Sequence, residues 1–318
     1  MATTTTSTTT SRARRSARHP DHRSGLAQRV NWGRLLSWTV LWLFILLTIF
    51  PFYWTVRTGL SNNRALAGAS GSLLPADFSL GGFKRVLGLA SVEEALAEGG
   101  SGASISFWLY LRNSVLVASA VTVGQVVFSA AAAYAFARLR WRGRDTVFGL
   151  FLTALLVPPI FTALPNFLTI KALGLLNTLP GIILPTFFMT PFAIYFLRQF
   201  FLGIPREIDE AALIDGAGHL RIFFRIIMPM AMPPIITLGI LQFIAAWNDY
   251  FWPLLVGQTD ESRVLTVALG VFRSQTPQGS PDWAGLMAAT LIAAVPVLIL
   301  YAIFGRRIVN SIGFTGIK

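Results

Sequence analysis

From Leu35 to Val56 the chain runs for 22 residues without a charged side chain, with Ser37, Thr39 and Thr48 the polar interruptions before Tyr53. Crossing a hydrocarbon core of about 30 Å takes roughly 20 apolar residues in a helix. In lipid only a helix or a closed barrel satisfies its own backbone donors and acceptors, so a run of this length leaves the chain few options. Five more stretches share its character: Val115–Phe136, Val147–Ile170, Leu179–Leu197, Ala231–Val256 and Trp283–Phe304. Only 13% of the residues are charged, whereas soluble domains carry about 25%. The expected fold is all-α, a polytopic membrane protein with six transmembrane helices.

Once the spans are placed, the formal charge of +12 acquires a meaning. The side of the membrane that holds the N-terminus carries eighteen basic and six acidic residues, in the tail to Arg34, the Arg138 to Asp145 loop, the Arg198 to Arg225 loop and the C-terminal tail. The opposite side carries eight of each. Basic residues accumulate on the cytoplasmic side, so both termini are expected inside. The chain then divides into a basic, low-complexity cytoplasmic tail (1–34), a six-span domain (35–305) and a short cytoplasmic C-terminal tail (306–318). Within the domain, 57–107 is an external loop and 198–230 a cytoplasmic one. The external loop contains LPADFSLGGFKRVLG, which reads as a small folded cap, and Ser91 to Glu98, which reads as one or two turns of helix lying over the bundle.

The tail opens MATTTTSTTTS, and its arginines have no aromatic residues between them before Trp32. A topological anchor beside anionic lipid explains it better than a nucleic-acid arm, and no nucleic acid is expected as a partner. Cysteine is absent and histidine occurs three times, which removes disulfides, thiol chemistry and the usual zinc sites. Lys84, Lys171 and Lys318 are the only lysines and none follows a glycine, so there is no phosphate-binding P-loop. Nor can a nucleophile with a base, or a metal cluster, be assembled, so the chain is not expected to be an enzyme and needs no cofactor of its own.

The loop between the fourth and fifth spans reads IPREIDEAALIDGAGHLRIFFRIIMPMAMPP. Pro205 suits the first position of a helix, and Glu207, Asp209 and Glu210 place negative charge in its first turn, where the helix dipole favours it. Ile204, Ile208, Ala211 and Ala212 recur at helical spacing as one apolar face, and Gly216 and Gly218 end the element. A second helix is expected from His219, with Leu220, Phe223, Phe224 and Ile227 on one side, Arg221 and Arg225 on the other, and Pro229 closing it. By amphipathicity alone this is an interfacial hairpin.

The spacing is more specific than that. Glu210-Ala211-Ala212, three residues, Gly216, nine residues, Ile226, one residue, then Met228-Pro229 resembles the EAA loop, EAA-x3-G-x9-I-x-L-P, of bacterial ABC-transporter permeases, with Met228 in place of the leucine. FLRQFFLGIPREIDEAALIDGAG, LRNSVLVA at the start of the second span, WNDYFWPL in the fifth and the closing FGRRIVNSIGFTGIK extend the resemblance to the carbohydrate-type, maltose-type permeases from Leu35 onward. The resemblance implies the permease (MetI-like) architecture, in a bacterial plasma membrane. It implies four kinds of partner: a dimer of ABC ATPases carrying ATP and magnesium, a second permease subunit completing the pore, an extracytoplasmic solute-binding protein, and a sugar or polyol substrate. It also implies that the loop seats in the ATPase. There Glu210 would meet basic groups, Ala211 and Ala212 would allow close approach, Gly216 would make the turn, and Ile226 and Pro229 would complete the element.

Polar groups within spans are costly and mark candidate pathway positions: Gln125, Asn166, Gln242, Asn248 and Asp249, with Trp247 beside them. Amides and carboxylates bond hydroxyls, and aromatic faces stack on sugar rings. Hydrogen bonding between helices and an interfacial aromatic belt would use the same residues. Asp249 reads as a helix-end or gate residue. Pro158, Pro159, Pro165, Pro185, Pro191, Pro233, Pro234 and Pro296 are expected to kink or interrupt their helices. A secondary transporter would place ionisable groups near the midplane, and a non-transporting scaffold would need none of this spacing; neither accounts for the loop.

Overall fold

The computed structural model describes residues 32–69, 71–100, 106–274 and 281–312. Nearly all of the expected N-terminal tail, and the C-terminal tail from residue 313 onward, lie outside the described residues. The chain forms two compact units that divide at Phe50/Pro51, inside the first helix, α1 (Trp32–Gly59). In the smaller unit the three hydroxyls of the apolar run turn back on the helix: Ser37, Thr39 and Thr48 donate to the carbonyls of Gly33, Leu35 and Phe44. Backbone bonding of this kind removes their cost in lipid.

In the larger unit, α2 (Asn63–Leu66), α3 (Gly81–Val86) and α4 (Val92–Ala97) form the small cap expected between the first two spans. Ser91 and Glu94 make a reciprocal capping box that starts α4. A second long helix, α5 (Phe107–Arg138), runs through the unit. After it come α6 (Arg144–Thr153), α7 (Pro159–Ala172), α8 (Leu179–Phe187) and α9 (Pro191–Leu202). The EAA-like loop holds α10 (Glu207–Ile214), α11 (His219–Ile222) and α12 (Met228–Met230). The chain ends with α13 (Met232–Trp247), α14 (Phe251–Val256), α15 (Leu265–Ser274) and α16 (Trp283–Ile312).

Among the described residues three helices are long and apolar enough to cross a membrane alone: Gly33–Gly59, Phe107–Arg138 and Trp283–Gly305. Three further helix pairs are bent at a short break and give up to six crossings if each pair counts as one, the third of them taking in the second helix of the EAA-like loop. Arg144–Leu156 and Pro159–Ala172 meet at 100°, Leu179–Phe187 and Pro191–Leu202 at 46°, His219–Met230 and Met232–Trp247 at 80°. Val147–Ile170 is therefore not the straight crossing expected, and the expected Ala231–Val256 span ends at Trp247, with α14 a separate short helix. Proline stands at each break: Pro159, Pro191, Pro233 and Pro234 begin the second helices, where a missing N–H costs nothing. Pro165, Pro185 and Pro296 lie inside α7, α8 and α16.

Around α5 the packing is close. Ala130, Ala133 and Ala137 are buried in a core with Ala193, Ile194, Leu197 and Phe201 of α9. Gly124 lies so near the Phe187 carbonyl and ring that a Cβ there would overlap them. The cap is joined to the start of α16 by a buried ion pair: the Arg85 Nε and one Nη each donate at 2.9 Å to the Asp282 carboxylate, and the other Nη donates to Glu98 at 2.7 Å.

Candidate functional site

The EAA-like loop folds as two helices and a turn, with differences from expectation at both ends. The first helix, α10, starts at Glu207, two residues after Pro205, because the Arg206 carbonyl takes the first two bonds, from the N–H groups of Asp209 (3.0 Å) and Glu210 (3.1 Å). Its end is a Schellman turn: Gly216 donates to the Leu213 carbonyl, Ala217 to the Ala212 carbonyl, and Gly216 sits at φ +79°. A Cβ on Gly216 would meet nothing within 4 Å, so the backbone angle, and not space, asks for glycine. Gly218 has ordinary extended geometry and begins α11.

Pro229 does not close the second helix. A π-turn at Phe223–Ile227 joins α11 to α12, with the Met228 N–H donating to the Phe223 carbonyl, and the helix continues through Pro229 to Met230. The wider turn accommodates the proline ring and its missing donor. The faces also differ from expectation. Ala212 is buried in the core, whereas Ala211 and Glu210 are exposed. Ile222, Phe223 and Ile227 are buried with Ile226 packed beside them, whereas Leu220 and Phe224 point outward at 75% and 59% exposure. With Leu213 and Ile214 of α10, at 46% and 87%, they leave an uncovered apolar surface beside Glu210.

One contributor was not singled out from the sequence. Arg138, the last residue of α5, has a side chain only 3% exposed. One Nη donates to the carbonyls of Phe201 and Ile204, both at 2.6 Å, and the other lies 3.3 Å from the Asp209 carboxylate. Its signal in the sequence is a charged residue closing an apolar span, which charge counting reads only as topology.

A second place of interest is a cavity of 260 Å³ between α5, α8 and α13, lined by Gln125, Thr186, Gln242 and Asp249 with Val117, Val121, Ile182, Ala245, Ala246 and Pro253. Gln125 donates to the Thr186 carbonyl at 2.6 Å, while its Oε1 is buried without a partner. Gln242 reaches Thr190 at 3.4 Å. Asp249 stands between α13 and α14, and its backbone carbonyl accepts from the Thr266 hydroxyl at 2.7 Å. Three of the six candidate pathway residues thus meet here, and three do not. Trp247 is buried in the core, stacked on Phe243 at 5.8 Å; Asn248 bonds back to the Ile244 carbonyl; Asn166 lies on α7, away from the cavity lining.

Residues 125–313 match the family described as the binding-protein-dependent transport system inner membrane component. The chain belongs to that family. Among its relatives, the diacetylchitobiose uptake system permease protein NgcG of Streptomyces coelicolor is 32% identical, over 87% of this chain and 86% of that protein. The trehalose/maltose transport system permease protein MalG of Thermococcus litoralis is 30% identical, over 87% and 94%. A bacterial ABC transporter involved in the import of the acidic polysaccharide alginate has the same fold, with a TM-score of 0.74 at 24% identity over 86% of this chain and 96% of that one. The resemblance to carbohydrate-type permeases drawn from the loop therefore holds. This permease is a multi-pass inner-membrane subunit of an ABC importer. It is not itself catalytic, and works with an ATPase, another permease chain and a solute-binding protein.

Proposed function

We propose that this permease imports a sugar or related polyol as one half of a heterodimeric, maltose-type pore, driven by a partner ATPase that docks on the outward face of α10 and α11. The observation that carries this reading is the uncovered apolar surface of Leu213, Ile214, Leu220 and Phe224 beside the acidic Glu210, held by a turn that Gly216 locks. Exposed apolar residues gathered at the end of a bundle mark a protein contact. On this reading that face is cytoplasmic, as are both termini. Ala212 serves from within, as the small residue that lets α10 lie against the core, and Ala211 serves from without.

The cavity supports the substrate class. Its polar groups are two amides, a hydroxyl and a carboxylate, with no basic residue among the lining side chains. Such a set bonds neutral hydroxyls; a phosphorylated solute would face Asp249 with no cation to offset it. No step of ATP hydrolysis belongs to this chain. Its part is to move between inward and outward access as the docked ATPase closes on ATP and magnesium.

The test is purification of the tagged chain from its own membranes in mild detergent, followed by uptake assays of the recovered complex in liposomes with labelled maltose, trehalose, diacetylchitobiose and glycerol 3-phosphate. Co-purification of a P-loop ATPase and a second permease, with ATP-dependent uptake of a neutral sugar, is expected. Uptake confined to the phosphorylated solute would overturn the substrate class, and transport by the chain alone without an ATPase would overturn the coupling.

A further inference from the structure

The geometry points to Arg138 as the positioning residue that fixes α10 to α5 and α9, so that displacement of α10 reaches the cavity wall; this rests on the ATPase docking proposed above. α5 and α9 are tied along their whole shared length. At one end the Thr190 N–H donates to Ser129 Oγ at 3.3 Å. Further along, the Arg198 guanidinium lies over the Phe148 ring of α6, 4.2 Å from its centroid, with its Nε 3.4 Å from the Phe136 carbonyl. At the far end Arg138 takes the carbonyls of Phe201 and Ile204.

These two carbonyls lie at the end of α9 and in the link to α10. The Phe201 carbonyl already accepts from the Ile204 N–H at 3.2 Å, so the buried guanidinium adds a charge-assisted bond there and one to the Ile204 carbonyl, and fixes where the chain goes next. From the same guanidinium the other Nη reaches Asp209, next to Glu210 of the EAA-like motif. One buried cation thus holds the end of α9, its link and the first turn of α10. At the other end of the block, Gln125 of α5 and Gln242 of α13 line the cavity while bonding Thr186 and Thr190, on either side of the α8–α9 break.

The junction is not saturated. The Arg138 Nε and the Asp209 Oδ1 are both buried without partners. Each is costly in that state, and a second position of α10 can engage them. An element with two positions of similar energy is what transmission between distant sites requires.

The experiment uses the complete transporter, purified through its ATPase so that only assembled complexes are read. The chain has no cysteine of its own, which allows spin labels at Leu184→Cys on α8 and Leu241→Cys on α13, both partly exposed near the cavity. Distance distributions are recorded without nucleotide and after trapping with ATP, magnesium and vanadate. In the parent, trapping shifts the population between two distances. With Arg138→Ala the ATPase and its KM for ATP are retained, and the population ratio produced by trapping falls about tenfold. Arg138→Lys, one nitrogen replacing a fork, restores part of it. Asp209→Asn, which leaves both carbonyl bonds in place, gives an intermediate loss. A residue that only stabilised the fold would lower the yield without changing the response of the assembled fraction. A full response in Arg138→Ala and Asp209→Asn overturns the positioning role alone; no response in the parent overturns it together with the coupling it rests on.

Discussion

Gly216 carries a backbone angle that other residues reach only at a cost. At φ +79° a residue with a Cβ is strained by about 1–3 kcal/mol, more for a β-branched side chain and less for asparagine. Since the surroundings are open, the strain is released by distorting the Schellman turn and not by a clash. Gly216→Val should leave the permease in the membrane at near-parental abundance while the ATPase recovered with it falls about tenfold; Gly216→Asn should keep most of it. Equal recovery with both variants would show that the turn's geometry does not matter to docking. Which residue takes which side was less legible. Ile204, Ile208, Ala211 and Ala212 read as one face, yet while Ala212 joins the core with Ile204 packed against it, Ala211 faces out. In an eight-residue helix the buried side is chosen by what its neighbours offer. Here that is the core around Phe201 and the Arg138 side chain, the latter distant in sequence.

The helices show the same division between what length reveals and what direction conceals. Hydropathy found every apolar stretch, because it measures how much of a segment water rejects. It did not show that Val147–Ile170 and Leu179–Leu197 each contain a break, of 100° and 46°, because a bent pair has the same composition as a straight span. The prolines at the breaks were visible, but Pro165, Pro185 and Pro296 sit within helices, so proline alone does not mark a break. Pro229 was misjudged for a related reason: the π-turn before it accommodates its ring, and helical spacing does not register a widened turn. That turn also sends Phe224 outward while Phe223 and Ile227 stay buried. The outward face can be tested as an element. Leu220→Glu places a charge on a residue 75% exposed, so thermal stability of the permease should stay within about 0.5 kcal/mol of the parent, whereas Phe224→Glu also gives up the edge contact of Phe224 with the Phe223 ring at 4.7 Å and should cost about 1 kcal/mol. ATPase binding, measured by titration in detergent, should weaken by about 2 kcal/mol or more, as expected where an apolar anchor leaves an interface. Tight binding by the double variant would place the contact elsewhere.

For the whole molecule the charges decide how the bundle stands in the membrane. On the topology expected from the sequence, eighteen basic residues against six acidic fall in the segments on the α10 side, and eight against eight in those on the cap side. The cap's charges are in part consumed internally, as in the buried Arg85, Asp282 and Glu98 cluster, so its surface carries little bias. On the α10 side Arg140, Arg142, Arg206, Arg221 and Arg225 have no acidic partner within salt-bridge distance among the described residues, and on the proposed orientation they hold that side in the cytoplasm. The face that meets the ATPase and the face held inside by charge must be the same one, and this gives the orientation an independent check. Because the chain lacks cysteine, single cysteines at the exposed positions Glu93 and Arg142 can be labelled in intact cells with a membrane-impermeant maleimide. Glu93→Cys should react at once, and Arg142→Cys only after the membrane is opened. The opposite pattern would put α10 outside, where no ATP-driven partner could reach it, and would overturn the coupling reading together with the topology.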